Sequence, residues 1–158
     1  MANLAKSIGS TGFGLIMGAA LLIQPTVAEA QAASALAASV AVDTAPSVHF
    51  RAPRDGAAVP RTFEVSFGLR NYGVAPAGVN LSRTGHFHIL IDVPAPDSDA
   101  IVPADSLHRH YGGGQIETML TLPPGRHTLQ LVLADHEHRV IMHDGKPLMS
   151  ERIRVTVR

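Results

Sequence analysis

The sequence predicts an all-β chain, an immunoglobulin-like antiparallel β-sandwich of about six to eight strands. Three observations carry this. From Val48 onward apolar residues alternate with a period of two, Gly/Pro turn signals separate the alternating runs, and no window of helical period is long enough to compete. In chain order, VHF near residue 49 opens the pattern. FEVSFGL then puts Phe63, Val65, Phe67 and Leu69 on one face. HFHILIDV places Phe87, Ile89, Ile91 and Val93 on one side, opposite His86, His88, Leu90 and Asp92. QIETMLTL, HTLQLVLA and RIRVTV follow, the last alternating Ile153, Val155 and Val157 with Arg152, Arg154 and Thr156. Turns are signalled at Pro53–Gly56, Pro76–Gly78, Pro123–Gly125 and Asp144–Gly145. Residues 94–114 and 135–150 exceed ordinary hairpin loops, and long loops on a rigid sandwich are where function tends to sit.

The residues before this domain have a different character. Lys6, the apolar stretch FGLIMGAALLI and the triplet Ala28-Glu29-Ala30 form the three parts of a secretory signal peptide, residues 1–30. The apolar stretch is shorter than the ~20 residues that span a bilayer. Cleavage after Ala30 leaves a chain that is periplasmic or secreted and not integral to the membrane. An Ala-rich arm, residues 31–46, leads to the domain at 47–158.

Composition narrows the function classes. Thirteen basic and thirteen acidic residues balance, and the leader removes one of each. A neutral surface argues against nucleic acid as partner. There is no cysteine, so neither disulfides nor thiolate ligands are available. The anomaly is nine histidines, all beyond residue 30.

Six of them form three His-x-His pairs: His86/His88, His108/His110 and His136/His138. On a strand, residues i and i+2 project from one face about 7 Å apart, and two imidazoles there can turn toward one cation. Neutral imidazole suits zinc and copper, and a nitrogen/oxygen ligand set without thiolate favours Cu(II) or Zn(II). Asp135 and Glu137 offer oxygen donors or acceptors that fix a ring tautomer. Two arrangements bring pairs together. If the five longest strands alternate direction, His108, His110, His136, His138 and His143 gather at one pole, with His86 at the far end of its strand. If residues 94–114 instead contain a crossing strand through Ala104–Tyr111, His108/His110 lie across the face from His86/His88. The sequence is compatible with both.

Other features read as structural. His127 opens a strand after Pro-Pro-Gly, where polar groups satisfy turn backbone. Gly112-Gly113-Gly114 lacks the following Lys-Ser/Thr of a phosphate loop and instead permits a turn that positions His110 and Tyr111. Met142 and Met149 suit packing, and Arg152, Arg154 and Arg158 suit a charged sheet edge.

Three ordered motifs, TGHFHILID, HYGGGQIE and LPPGRHTLQLVLAD with His138 three residues after Asp135, resemble the secreted bacterial family catalogued as domain of unknown function 4399. The resemblance covers about residues 48–158. Phe87 stands where that pattern has a middle histidine, and Ile116 replaces its threonine. The family brings no activity with it.

The reading that follows is an exported module binding copper or zinc through His86, His88, His108, His110, His136 and His138 as carrier, buffer or sensor. Its affinity should weaken below about pH 6, where free imidazoles protonate. The alternative is a cell-envelope interaction domain, contacting a protein or glycan, with structural histidines and no metal. A third, a metal-dependent enzyme, needs an open ligand position, and no nucleophile elbow is present.

Overall fold

The computed structural model describes residues 44–96 and 98–158. The predicted leader lies outside the described residues, as does the Ala-rich arm except for its last three positions. Among the described residues, no helix is long and apolar enough to cross a membrane.

The six strands predicted from alternation all form: β1 (Ser47–Ala52), β3 (Thr62–Arg70), β5 (Thr84–Ile91), β7 (Glu117–Thr121), β8 (Gly125–Ala134) and β11 (Ile153–Val157). Short strands lie between them: β2 (Ala57–Val59), β4 (Gly73–Val74), β6 (His108–Tyr111), β9 (Met142–His143) and β10 (Lys146–Pro147). One sheet runs β1-β3-β7. The larger runs β2-β11-β8-β5-β4, with β6 also on β5, and β9–β10 is a separate ribbon. Pairing is antiparallel except at β2–β11 and β4–β5.

The two sheets enclose one main core because the alternating faces meet. Phe63, Val65 and Phe67 of β3 pack against Phe87, Ile89 and Ile91 of β5 and Leu129, Leu131 and Leu133 of β8. Phe67 joins the layers, its ring centroid 5.0 Å from Phe87 and 5.2 Å from Tyr111. Phe87 is fully buried, as its parity requires. Each such ring contributes about 1.5–3 kcal/mol by burial.

The opposite face of β5 departs from the usual one-wet-face sheet. His86, His88 and Leu90 are buried too. A second, smaller core lies over them, built from Leu90, Val102, Val132, Ala134 and Val140, with Met142 and Met149 packed against it. Residues 100–102 pair with 138–140 to form this cover, through Val102 N–H to the His138 carbonyl at 2.9 Å and Val140 N–H to the Ala100 carbonyl at 3.0 Å. Val140 and Met149 in turn bridge to Ala134 and Val132 of β8, so segments of both long loops extend the larger sheet and bury this part of its face.

His127 is the structural residue its position suggests. Its Nδ1 donates to Asp92 at 2.6 Å and its Nε2 to the Pro123 carbonyl at 2.9 Å. Asp92 also accepts the Thr128 N–H at 2.6 Å. Burial works against the His127 charge, yet the Asp92 hydrogen bond, the Pro123 carbonyl and the Asp92 charge raise its pKa. Burial likewise opposes the Asp92 charge, and the Thr128 and His127 contacts still lower its pKa. The stability from His127 is full below its unfolded pKa of 6.5 and is lost as pH rises through its folded value. That from Asp92 is present above 3.8 and is lost as pH falls through its lower folded value. Asp92→Asn, which keeps the Thr128 contact, should therefore cost about 1 kcal/mol near pH 5.5 after allowance for solvent screening, and less at pH 9. Urea unfolding at the two pH values reads this difference; equal costs at both would show that the charge contributes nothing.

Candidate metal centre

Strand β5 sets the floor of the site. His86 and His88 point away from the main core, opposite Phe87, and are 0% and 1% exposed. Strand β6 pairs antiparallel with β5 so that His88 faces His110 and Leu90 faces His108. On the other side β8 pairs His86 with Ala134, where the chain turns at Asp135. The crossing-strand arrangement is therefore the one the chain adopts, and the turn after residue 134 lies at the His86 end of β5.

The turn that delivers His138 is defined by Asp135. Its carboxylate accepts the N–H groups of Glu137 and Arg139, both at 2.9 Å, while its backbone N–H donates to the Arg139 carbonyl. The three-residue loop closes with His138 at φ +68°, the left-handed position that such a turn and bulge requires. Histidine tolerates this region better than most residues, at some cost over glycine. His110 is placed by a different device. A Cβ on Gly112 would collide with the His110 ring, so the absence of a side chain there lets the imidazole fold back over the strand.

Four rings meet as a result. The Nε2 atoms of His86 and His88 are 3.1 Å apart, and those of His110 and His138 are 3.2 Å apart. The ring of His86 lies 4.9 Å from that of His110 and 5.0 Å from that of His138. The His88 ring lies 4.9 Å from that of His110 and 6.0 Å from that of His138. One ligand atom each from His86, His110 and His138 falls within 4.8 Å of the others. A tetrahedral ion with nitrogens at 2.0–2.1 Å separates its ligands by about 3.3 Å, so two edges of the cluster already have ligand spacing. His86 and His88 form a buried floor; His138 is half-buried and His110 exposed, leaving one side open.

The electrostatics favour neutral rings. Burial first, then the neighbouring His110 and His138, hold the pKa of His86 down at about 4. Burial, then His86, His110 and His138, hold that of His88 at about 3. Burial and His138 lower that of His110. Neutral imidazole is the form that ligates a metal. Yet the Nδ1 atoms of His86 and His88 are buried with no hydrogen-bond partner. Between two neutral rings sharing one N–H···N contact, the donor ring keeps an unused Nδ1 lone pair and the acceptor ring an unused Nδ1–H. Each costs about 1–3 kcal/mol.

Of the six histidines expected as ligands, His86, His88, His110 and His138 come together. His108 lies one pair further along β6, its Nδ1 2.9 Å from Asp105. His136 is half-buried, and its carbonyl accepts the Gly78 N–H at 3.1 Å. His143 contacts Asp144 at 3.4 Å. The carboxylates expected as oxygen donors have other tasks. Asp135 caps its own turn, and Glu137 stands 4.0 Å from Arg139. Residue types alone give no signal for Asp105, whose Asp-x-x-His spacing to His108 is a local turn signature.

The architecture defines a class of protein: an immunoglobulin-like β-sandwich carrying a cluster of four imidazoles, three of which, His86, His110 and His138, lie close enough together to hold a metal ion. The chain belongs to the family described as Domain of unknown function (DUF4399), matched over residues 65–158, a span that includes all four clustered histidines. No curated protein matches the chain. Among solved structures it is similar to the endo-beta-1,4-mannanase from Thermotoga petrophila, at 17% identity and a TM-score of 0.44 over 75% of this chain and 21% of that one. It is also similar to Clostridium thermocellum CbhA fibronectin(III)-like modules, at 10% identity and a TM-score of 0.35 over 70% of this chain and 95% of that one. The chain thus spans about a fifth of the mannanase.

Proposed function

We propose that the protein binds one divalent transition-metal ion, Cu(II) or Zn(II), through His86, His88, His110 and His138, and serves as a carrier, buffer or sensor after export. The observation that carries this is the convergence of four imidazoles, with the Nε2 atoms of His86 and His88 3.1 Å apart and those of His110 and His138 3.2 Å apart. Histidines that only support the fold look different here. His127 has both ring nitrogens taken, by Asp92 and by the Pro123 carbonyl, whereas the clustered rings contact one another. A nitrogen-only ligand set leaves the charge of the ion uncompensated, and imidazole suits both Cu(II) and Zn(II). The envelope-interaction alternative gives no reason for four imidazoles from three segments to meet.

Calorimetric titration and thermal unfolding at pH 7.5 with each ion test the reading. One ion should bind per chain, and ion at 100 times Kd should add about 2.7 kcal/mol of stability. Neither heat nor a stability shift with either ion would overturn it.

A further inference from the structure

His108 lies beside the cluster on the same strand as His110 without joining it. It projects from the same face of β6 as His110, two residues away, and pairs with Leu90 just beyond His88. Its ring is not loosely held. Asp105 accepts from His108 Nδ1 at 2.9 Å, and the same carboxylate oxygen accepts the backbone N–H groups of Leu107 and His108 at 2.8 and 3.0 Å. A carboxylate fixed in this way keeps the proton on Nδ1 and leaves the Nε2 lone pair for another ligand, the arrangement that orients metal-binding imidazoles. An open surface depression is lined by Ala104, Asp105, Ser106, His108, Arg109 and His110. His110, on the exposed side of the cluster, thus shares with His108 one path from solvent.

We propose that His108 is a transient ligand that passes the ion between solvent and the four-histidine cluster. The inference rests on the metal-binding reading above. A ligand that holds the ion only on the way in and out lowers the barrier in both directions and leaves the end states unchanged. It therefore acts on rates and not on affinity. Asp105 is a positioning residue for that step.

Stopped-flow loading with Cu(II) or Zn(II), and unloading into a chelator, would be compared in the wild type, His108→Ala and Asp105→Asn. The asparagine variant retains an oxygen for the two backbone N–H groups and so preserves the turn. Both variants should slow loading and unloading in parallel, by about tenfold or more, the scale on which ligand-orienting partners act, with Kd unchanged within about twofold. Unchanged rates would overturn the inference. So would a large loss of affinity with an unchanged loading rate, which would make His108 a resident ligand. If the wild type itself takes up no ion, the metal-binding reading fails and this one with it, an outcome distinct from equal rates among proteins that all load.

Discussion

Replacing His86 and His88 together by leucine is expected to raise the stability of the metal-free protein and to abolish its metal binding. The two rings are the floor of the cluster, fully desolvated, with both Nδ1 atoms unpaired. Leucine has similar bulk and needs no partner. Across the sheet the two positions face Ala134 and Val132, both apolar, so the substituted side chains extend the second core. Removing unsatisfied buried polar groups in favour of well-packed apolar ones is commonly stabilising. A gain of about 2 kcal/mol, or roughly 10 °C in unfolding temperature for a domain of this size, is the expected scale. Loss of two of four ligands should lower metal affinity by at least about 100-fold, since even partners that only orient ligands are worth 10–100-fold. Thermal unfolding in the presence of a chelator, paired with metal titration, measures both. A double variant less stable than the wild type would mean that the imidazoles hold the fold together, and the metal reading would lose its main support.

How far the sequence reveals this site depends on where each histidine sits. On β5 the period of two is unbroken, so the opposed faces of Phe87 and of His86/His88 follow from parity alone. Burial of the histidine face does not. The burying groups are Val102, Val140, Met142 and Met149, outside the alternating runs, and they are placed by long-range pairing of residues 100–102 with 138–140 and of Val140 and Met149 with Ala134 and Val132. Strand β6 is four residues long and reads HRHY, with no apolar alternation; it forms because the free edge of β5 supplies backbone partners. The His-x-His rule then picks out one member of each remaining pair. On β6 the residue two positions from His110 is displaced by about 7 Å along the strand, which puts His108 beside Leu90 and outside the cluster. At residues 136–138 there is no strand, so alternation does not apply, and the left-handed φ of His138 sets its direction.

Acid is the second large lever on this protein, and the signs of its effects can be worked out. In the unfolded chain His86 and His88 titrate near 6.5; in the folded one they do so at about 4 and about 3. Between those values the unfolded chain holds protons that the folded chain refuses, so stability is full above pH 6.5 and falls as pH drops toward the folded values. His127 acts in the opposite sense above that range, since its raised pKa adds stability as pH falls toward 6.5. Metal-free protein should therefore be most stable near pH 6 to 6.5 and lose at least about 3 kcal/mol by pH 4, the share of one such ring, with the second adding to it because the folded chain refuses that proton as well. The leucine double variant should lack this acid slope. For the loaded protein the same shifts alter the expectation drawn from free imidazole. The two buried ligands are already neutral well below pH 6, so protons compete for them only under stronger acid. Affinity should fall less between pH 7.5 and 5.5 than at a site of four solvated imidazoles, which weakens by up to about tenfold per pH unit for each ligand below 6.5, because the two buried ligands bind no protons in that range. Competition titrations at pH 7.5, 6.5 and 5.5 distinguish the two. A steep loss that begins at 6.5 would mean that protons reach the floor of the cluster as freely as solvent reaches its rim.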